Sequence, residues 1–336
     1  MGNTAKQAGK DVKESAEAYK EMNYAAAQRD AFENKIKSFL GVAGAAQVMR
    51  HALRDAMQTI SELDKTMTEM SVVTDLEVSD YWEQLPQYTK RANELGLAIN
   101  DVYKADTLYY QQGLKTNEVM AISTETMKMA RIAGLDTAEA TDRMTAALRG
   151  FNMELNEISA EKIADVYSEL AAITAADVDE ISTAMTKTAS IASSAGMEFE
   201  TTAAFLSQII ETTRESAETA GTAMKTVIAR FQELKKVPGD IGEIDGEIVD
   251  ANAIETALRS VGVELRDAGG QFRELDDVFL ELSSKWSGLD KNTQRYIATI
   301  AAGSRQQSRF IAMMSDYGRT QELVSAANSS AGASNE

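Results

Sequence analysis

The chain is predicted to be all-α (mainly α): an elongated array of antiparallel helices with a long N-terminal coiled-coil-like helix and one short β-hairpin near 263–275. Three observations carry that expectation. Only 2 prolines stand among 336 residues, which favours long uninterrupted helices. A glycine followed by an apolar residue recurs wherever one helical pattern ends and another begins. An apolar heptad runs without a miss from Phe39 to Met70.

Residues 1–36 read as a polar, alanine-rich helical lead with weak periodicity. The segment 37–74 is the heptad helix. Phe39, Ala46, Leu53, Ile60 and Met67 form one set, and Val42, Met49, Ala56, Leu63 and Met70 the other. Together they are the predicted seam of a homo-oligomer whose number the pattern does not fix. At 1.5 Å per residue the helix would be roughly 50 Å long. Alanines thin the seam, so the alternative of a long helix lying on its own domain stays open.

Segment 75–236 reads as the helical core array. Pro86 marks a turn or a helix start. The stop motif stands at Gly96-Leu97, Gly113-Leu114, Gly134-Leu135, Gly150-Phe151, Gly196-Met197 and Gly262-Val263. Glycine takes the left-handed conformation there, and the next apolar residue folds back on the last turn. Asn100, Thr137 and Ser159 follow as candidate caps. Met185 to Lys235 organises the rest, as a packing module of three helices. Its stripes are Ile181, Met185, Ala189 and Ala192; Phe205, Leu206, Ile209 and Ile210; and Met224, Val227, Ile228, Phe231 and Leu234.

Residues 237–253 form an acidic, glycine-rich loop. Its Asp245-Gly246 resembles a fragment of a calcium loop, but Ile241 and Asn252 stand where the first and last acidic ligands belong. A solvated insertion or a small hairpin around Asp-Gly fits better. Residues 254–325 read as a helical subdomain. It carries the predicted hairpin, because Val263 to Leu275 alternates apolar and polar residues around Gly269-Gly270. Later stripes are Leu275, Val278, Phe279 and Leu282, then Tyr296, Ile297 and Ile300, then Phe310, Ile311 and Met314. The tail, 326–336, is small and polar, has no cap or stop, and reads as a truncation.

Composition excludes several function classes. A net charge of −18 and the absence of any basic run argue against a surface that tracks phosphates, so no direct nucleic-acid binding is expected. With no cysteine, disulfides and thiolate metal sites are out. The N-terminus lacks the apolar core of a secretory signal, and Lys6 occupies the place a myristoylation motif gives to Ser or Thr. No apolar run is long enough to span a bilayer, which predicts a soluble chain with no membrane contact through this region. Aromatics at 6% and 16 methionines suggest thin, adaptable helix seams.

No catalytic, cofactor-binding or metal residue emerges, and no enzyme is read. The lone histidine, His51, lies in the heptad helix with no Ser or Cys to complete a nucleophile pair. The carboxylates are spread at helical spacing, as on solvated faces. Trp286-Ser287-Gly288 is similar to the turn of small secreted helical hairpins with a WxG loop, but a core tryptophan explains it better. The alternative of a secreted or membrane-acting protein of that type is disfavoured by the missing export signal and by the acidic polar faces.

Four stretches stand in order along the chain: Glu62 to Asp75 (ELDKTMTEMSVVTD), Glu218 to Phe231 (ETAGTAMKTVIARF), Leu275 to Trp286, and Ala301 to Phe310 (AAGSRQQSRF). Together they resemble the core of phage tail tape measure proteins, especially those of long-tailed phages of Gram-positive bacteria. The second holds Ala220, Gly221 and Thr222; the last holds Gly303, Arg305 and Gln306 of the family's Gly-x-Arg-Gln. The resemblance runs from about Val48 to Ala333. It implies a structural protein of the virion, in the tail lumen or tip, and in the host cytoplasm during assembly. Implied partners are other copies of itself, tail-tip or baseplate hub proteins, and tail tube proteins. A full-length member sets tail length and leaves ahead of the DNA at ejection. The matched residues are carried over as packing and turn positions only. Length is the departure. Even one unbroken helix of 336 residues would reach about 500 Å, so the chain is expected to be an N-terminal portion of a longer protein, without the ruler, membrane-active or wall-hydrolase segments.

Overall fold

The computed structural model describes residues 45–74, 76–233, 241–244 and 247–335. Phe39, Val42 and the polar lead 1–36 lie outside the described residues. Thirteen described α-helices carry the chain: α1 (Ala45–Val73), α2 (Val78–Leu95), α3 (Ile99–Gln111), α4 (Thr116–Ala133), α5 (Thr137–Gly150), α6 (Glu157–Ile173), α7 (Val178–Ser194), α8 (Phe199–Thr213), α9 (Ala217–Glu233), α10 (Ala251–Ser260), α11 (Leu275–Trp286), α12 (Lys291–Met314) and α13 (Tyr317–Asn328). The described residues are all-α apart from a two-stranded antiparallel ladder, β1 (Ile241–Ile244) with β2 (Glu247–Asp250). It divides into two compact units, 1–64 and 65–336. The described helices of 75–236 and of 254–325, separate in the sequence pattern, belong to the second unit together.

The stop motif works as a helix terminator at five of its six positions. At Gly96, for example, φ is 66°, and the next amide, Leu97 N–H, returns to the Ala92 carbonyl at 2.9 Å. Gly150 is the exception. It is the last helical residue of α5, and the left-handed residue is Asn152 (φ 51°), from which Met153 N–H reaches Leu148 O at 2.8 Å. Gly150 serves packing instead: a Cβ there would lie 2.5 Å from that of Ala189 on α7.

Helix starts fall a little earlier than the capping pattern suggests. Asp136 and Asn156 cap α5 and α6, accepting from the Glu139 and Ser159 amides, so Thr137 and Ser159 sit inside their helices. Ala98 stands at the N-cap of α3, and Asn100 accepts a hydrogen bond from the Thr66 hydroxyl at 2.7 Å. Pro86, expected at a turn or helix start, stands inside α2. It is exposed there, where the loss of its N–H is least costly.

The predicted reversal at 263–275 forms a short hairpin that closes on a single bridge. Arg266 bridges Phe272, flanked by Asp267 N–H to Gln271 O at 2.8 Å and Arg273 N–H to Leu265 O at 2.9 Å, and the Asp267 carboxylate accepts the Gly269 and Gln271 amides. Those side-chain bonds satisfy the backbone of the turn locally. A longer ladder, β1 with β2, lies in the acidic loop, with Ile244 opposite Glu247.

α8 is the centre of the second unit. Every residue from Phe199 to Ile210 is buried, and α6, α7, α9, α12 and α13 all pack on it. Its polar residues are buried in company: Glu200 pairs with Lys162, and the Gln208 side chain donates to the Ala312 and Asp316 carbonyls while accepting from Thr320 at 2.6 Å. The stripes of α7, α9 and α11 face this core, with Phe279 edge-on to both Phe205 and Phe231.

Around α2, α3 and α4 a second core is polar and aromatic. Tyr88 and Tyr103 stack at 3.8 Å, and Asp106, fully buried, binds Arg91 at 2.9 Å and the Ser123 hydroxyl at 2.5 Å. Burial lifts the phenols of Tyr88 and Tyr103 well above their usual range.

Candidate functional site

Most of the residues matched to the family motif lie where helices meet. Ala220 and Gly221 are on α9, which packs on both α7 and α12. A Cβ on Gly221 would lie 2.5 Å from the Ala184 carbonyl oxygen, so α7 and α9 cross at backbone contact. Thr188 Oγ1 marks that crossing, bonded at 3.1 Å to both the Ala184 and Gly221 carbonyls. Ala220 is buried beside it, and Thr222 is exposed.

Further along α9, buried Arg230 reaches α12. Its Nε and Nη2 donate to the Ile300 carbonyl at 3.3 and 3.2 Å. That carbonyl lies just before Gly303, where φ 76° and ψ 168° break α12 into two arms. This backbone region is open essentially to glycine alone. Gln307, beyond the break, folds back to donate to the Arg295 carbonyl at 3.1 Å. The break has a sequence cause. The first arm buries Gln294, Ile297, Ala298, Ala301 and Ala302, the second Gln306, Phe310, Ala312, Met313 and Met314. On an unbroken helix those faces would point roughly 120° apart. Gly303 turns both into the core.

Gln306 is buried and accepts from Arg309 Nη1 at 3.2 Å, and Arg309 pairs with Glu215 at the α8–α9 turn through two bonds of 2.5 and 2.8 Å. Arg305 is exposed, and its carbonyl accepts from Arg309 at 2.7 Å. Gly221, Gly303 and Gln306 thus serve one junction of α7, α8, α9 and α12. Arg305 joins it through its backbone.

The predicted seam divides. Met67 and Met70 are fully buried within the second unit. In the first unit Leu63 is buried, while Ile60 is 54% exposed, next to Met57 at 63%. Ala46, Met49, Leu53 and Ala56 lie on the α1 backbone.

Among the described residues, no cluster of His, Asp and Glu is arranged to hold a metal ion, and no helix is long and apolar enough to cross a membrane. Trp286 is a core residue: it packs edge-on against Phe310, and its carbonyl accepts from Gln294 Nε2 at 2.7 Å. Burial pushes the Asp276 carboxyl up to about 7. It faces no cleft. One oxygen accepts the Glu198 amide at 2.7 Å, joining the start of α11 to that of α8.

Pattern reading of the sequence does not single out Arg230, Asp276, Asp165 or the Arg91–Asp106 pair. Each is one charge on an apolar face, and the only sequence signal is that misplacement within a stripe.

The phage-related minor tail protein family model matches residues 89–303. The tape measure protein of Pneumococcus phage Dp-1 is 29% identical over 148 residues, 44% of this chain and 13% of that relative. The chain therefore spans only a small part of that relative's length. No solved structure matches at a significant level. With the match covering well over half of the chain, and with its motif residues building a helix junction, the chain belongs to the phage-related minor tail protein family of structural tail proteins.

Proposed function

We propose that this chain is the folded core of a tape measure protein. It oligomerises through α1 and contacts tail-tip, baseplate hub and tail tube proteins while the tail assembles. The full-length protein sets tail length and leaves before the DNA at ejection. The chain is no enzyme and takes no cofactor.

What carries this reading is the likeness to the Dp-1 tape measure protein combined with motif residues that pack rather than react. The exposed Met57 and Ile60 support self-association through the part of α1 before Asp64. Because Leu63, Met67 and Met70 are buried within the chain itself, the proposed seam is limited to the heptad positions before Leu63.

Mass measurement by light scattering tests it. An oligomer at micromolar concentration that falls to monomer on Ile60→Asp is the expected result. A monomer in both forms would remove the oligomerisation step. Acidic surfaces should keep duplex DNA from binding below micromolar at physiological salt. Co-purification with tail-tip proteins expressed alongside would support the contact with them, and absence of any such complex would count against it.

A further inference from the structure

We propose that residues 329–335 form a strap that docks reversibly on Asp165 and, on opening, uncovers an acidic face of α4 and α6. The strap follows α13 and contains only Ser, Ala, Gly and Asn. It nevertheless crosses to α6, 167 residues away in sequence, where the Asp165 carboxylate accepts Gly332 N–H at 2.7 Å and Ser334 N–H at 2.8 Å. Lys128 on α4 adds a bond to the Asn335 side chain at 2.9 Å while it pairs with buried Glu125. The Asn335 amide lies 3.5 Å from Glu161. Ser330 and Ser334 are buried, as is Asp165.

The strap is thus held by polar bonds, with no large apolar side chain to anchor it. Ordering seven residues costs at least as much chain entropy as two charge-assisted hydrogen bonds return. One flank is also unpacked: a cavity of about 360 Å³ lies beside it, bounded by Ile158, Lys162, Glu200, Ser330 and Gly332. When the strap leaves, Asp165 and Glu161 gain water in place of the strap's donors, so opening strands no charge. The helices beneath need not unfold. The strap is therefore docked most of the time yet opens more easily than the helices beneath it, as expected of a segment that orders and disorders within an intact fold.

Hydrogen exchange of the whole chain, followed by mass spectrometry, tests this. The peptide covering 326–336 should exchange more slowly than an unstructured chain but at least tenfold faster than the α6 peptide. Asp165→Asn, which removes one acceptor, should speed the strap about tenfold and leave α7 and α9 unchanged. Gly332→Ala is the second variant, since Gly332 holds φ 91° with open space around it. It penalises only the docked form and should speed strap exchange roughly 5- to 30-fold. Strap exchange as slow as that of α6, or an unchanged rate in Gly332→Ala, would overturn the proposal.

Discussion

Replacing Asp276 by asparagine is expected to flatten the stability of the helical unit between pH 5 and pH 8. Asp276 lies in the first turn of α11 and is 8% exposed. One carboxylate oxygen accepts the Glu198 amide, and the other has no hydrogen-bond partner among the described residues. Burial is the main cause that raises its pKa from 3.8 to about 7; the Glu198 amide opposes the rise, and the Glu198 and Asp277 carboxylates add to it. The folded chain therefore keeps a proton that the unfolded chain releases above pH 4. The contribution of Asp276 to stability is therefore most favourable below that point, falls as pH rises toward 7, and is flat above. At about 1.4 kcal/mol per decade of proton affinity, the group costs roughly 4 kcal/mol once ionised, of which about 2–3 kcal/mol is lost between pH 5 and pH 8. The asparagine side chain would keep an acceptor for the Glu198 amide and carry no charge. Urea unfolding followed by tryptophan fluorescence at each pH gives both profiles, and their difference isolates the residue. Parallel profiles from pH 5 to pH 8, or a carboxyl titrating below pH 5 by carbon NMR, would show that the pocket is wetter than its burial indicates.

Further expectations concern the junctions. Gly221→Ala should cost about 1–2 kcal/mol in chemical unfolding, because the new methyl meets a backbone carbonyl and the crowding outweighs the gain in helix propensity. Gly303→Ala should cost about 1–3 kcal/mol for its forbidden backbone angles, readable in the same assay. Arg230→Met takes the guanidinium from the Ile300 carbonyl, for a loss of about 1–3 kcal/mol, and should loosen exchange in both arms of α12. Asp106→Ala leaves Arg91 without its buried partner and should cost about 3–5 kcal/mol, seen first as melting of α2 to α4 by circular dichroism.

Much of this fold was legible because its signals are local. Apolar spacing located α7, α8 and α9, and glycine plus an apolar residue located the end of α7, whereas α8 stops at a left-handed Arg214 (φ 55°) that no glycine announces. What spacing could not convey was depth. Phe205, Leu206, Ile209 and Ile210 describe one stripe of α8, yet Thr201, Thr202, Ser207 and Gln208 on its other sides are buried as well. Thr and Gln look solvated in a sequence; here Gln208 is enclosed because Thr320 and two carbonyls from residues more than a hundred positions away satisfy it. The heptad misled at its end for the same reason. Met67 and Met70 keep a coiled-coil spacing that a helix packed within its own domain shows equally well. The junction itself was half visible. Gly221 and Gly303 stood out as motif positions, but the reason for Gly303 lies in two apolar faces out of phase, and its partner Arg230 belongs to another helix. Family resemblance, not physics, supplied the functional reading.

The enclosure of α8 has a consequence for how this chain tolerates being cut. Its neighbours α6, α7 and α9 come from before the β1–β2 ladder, and α12 and α13 from after it. A protease that nicks the ladder should leave a complex whose pieces stay associated under native conditions. Expressed singly, neither piece should be soluble, because each would bare a long apolar wall that only its counterpart can line.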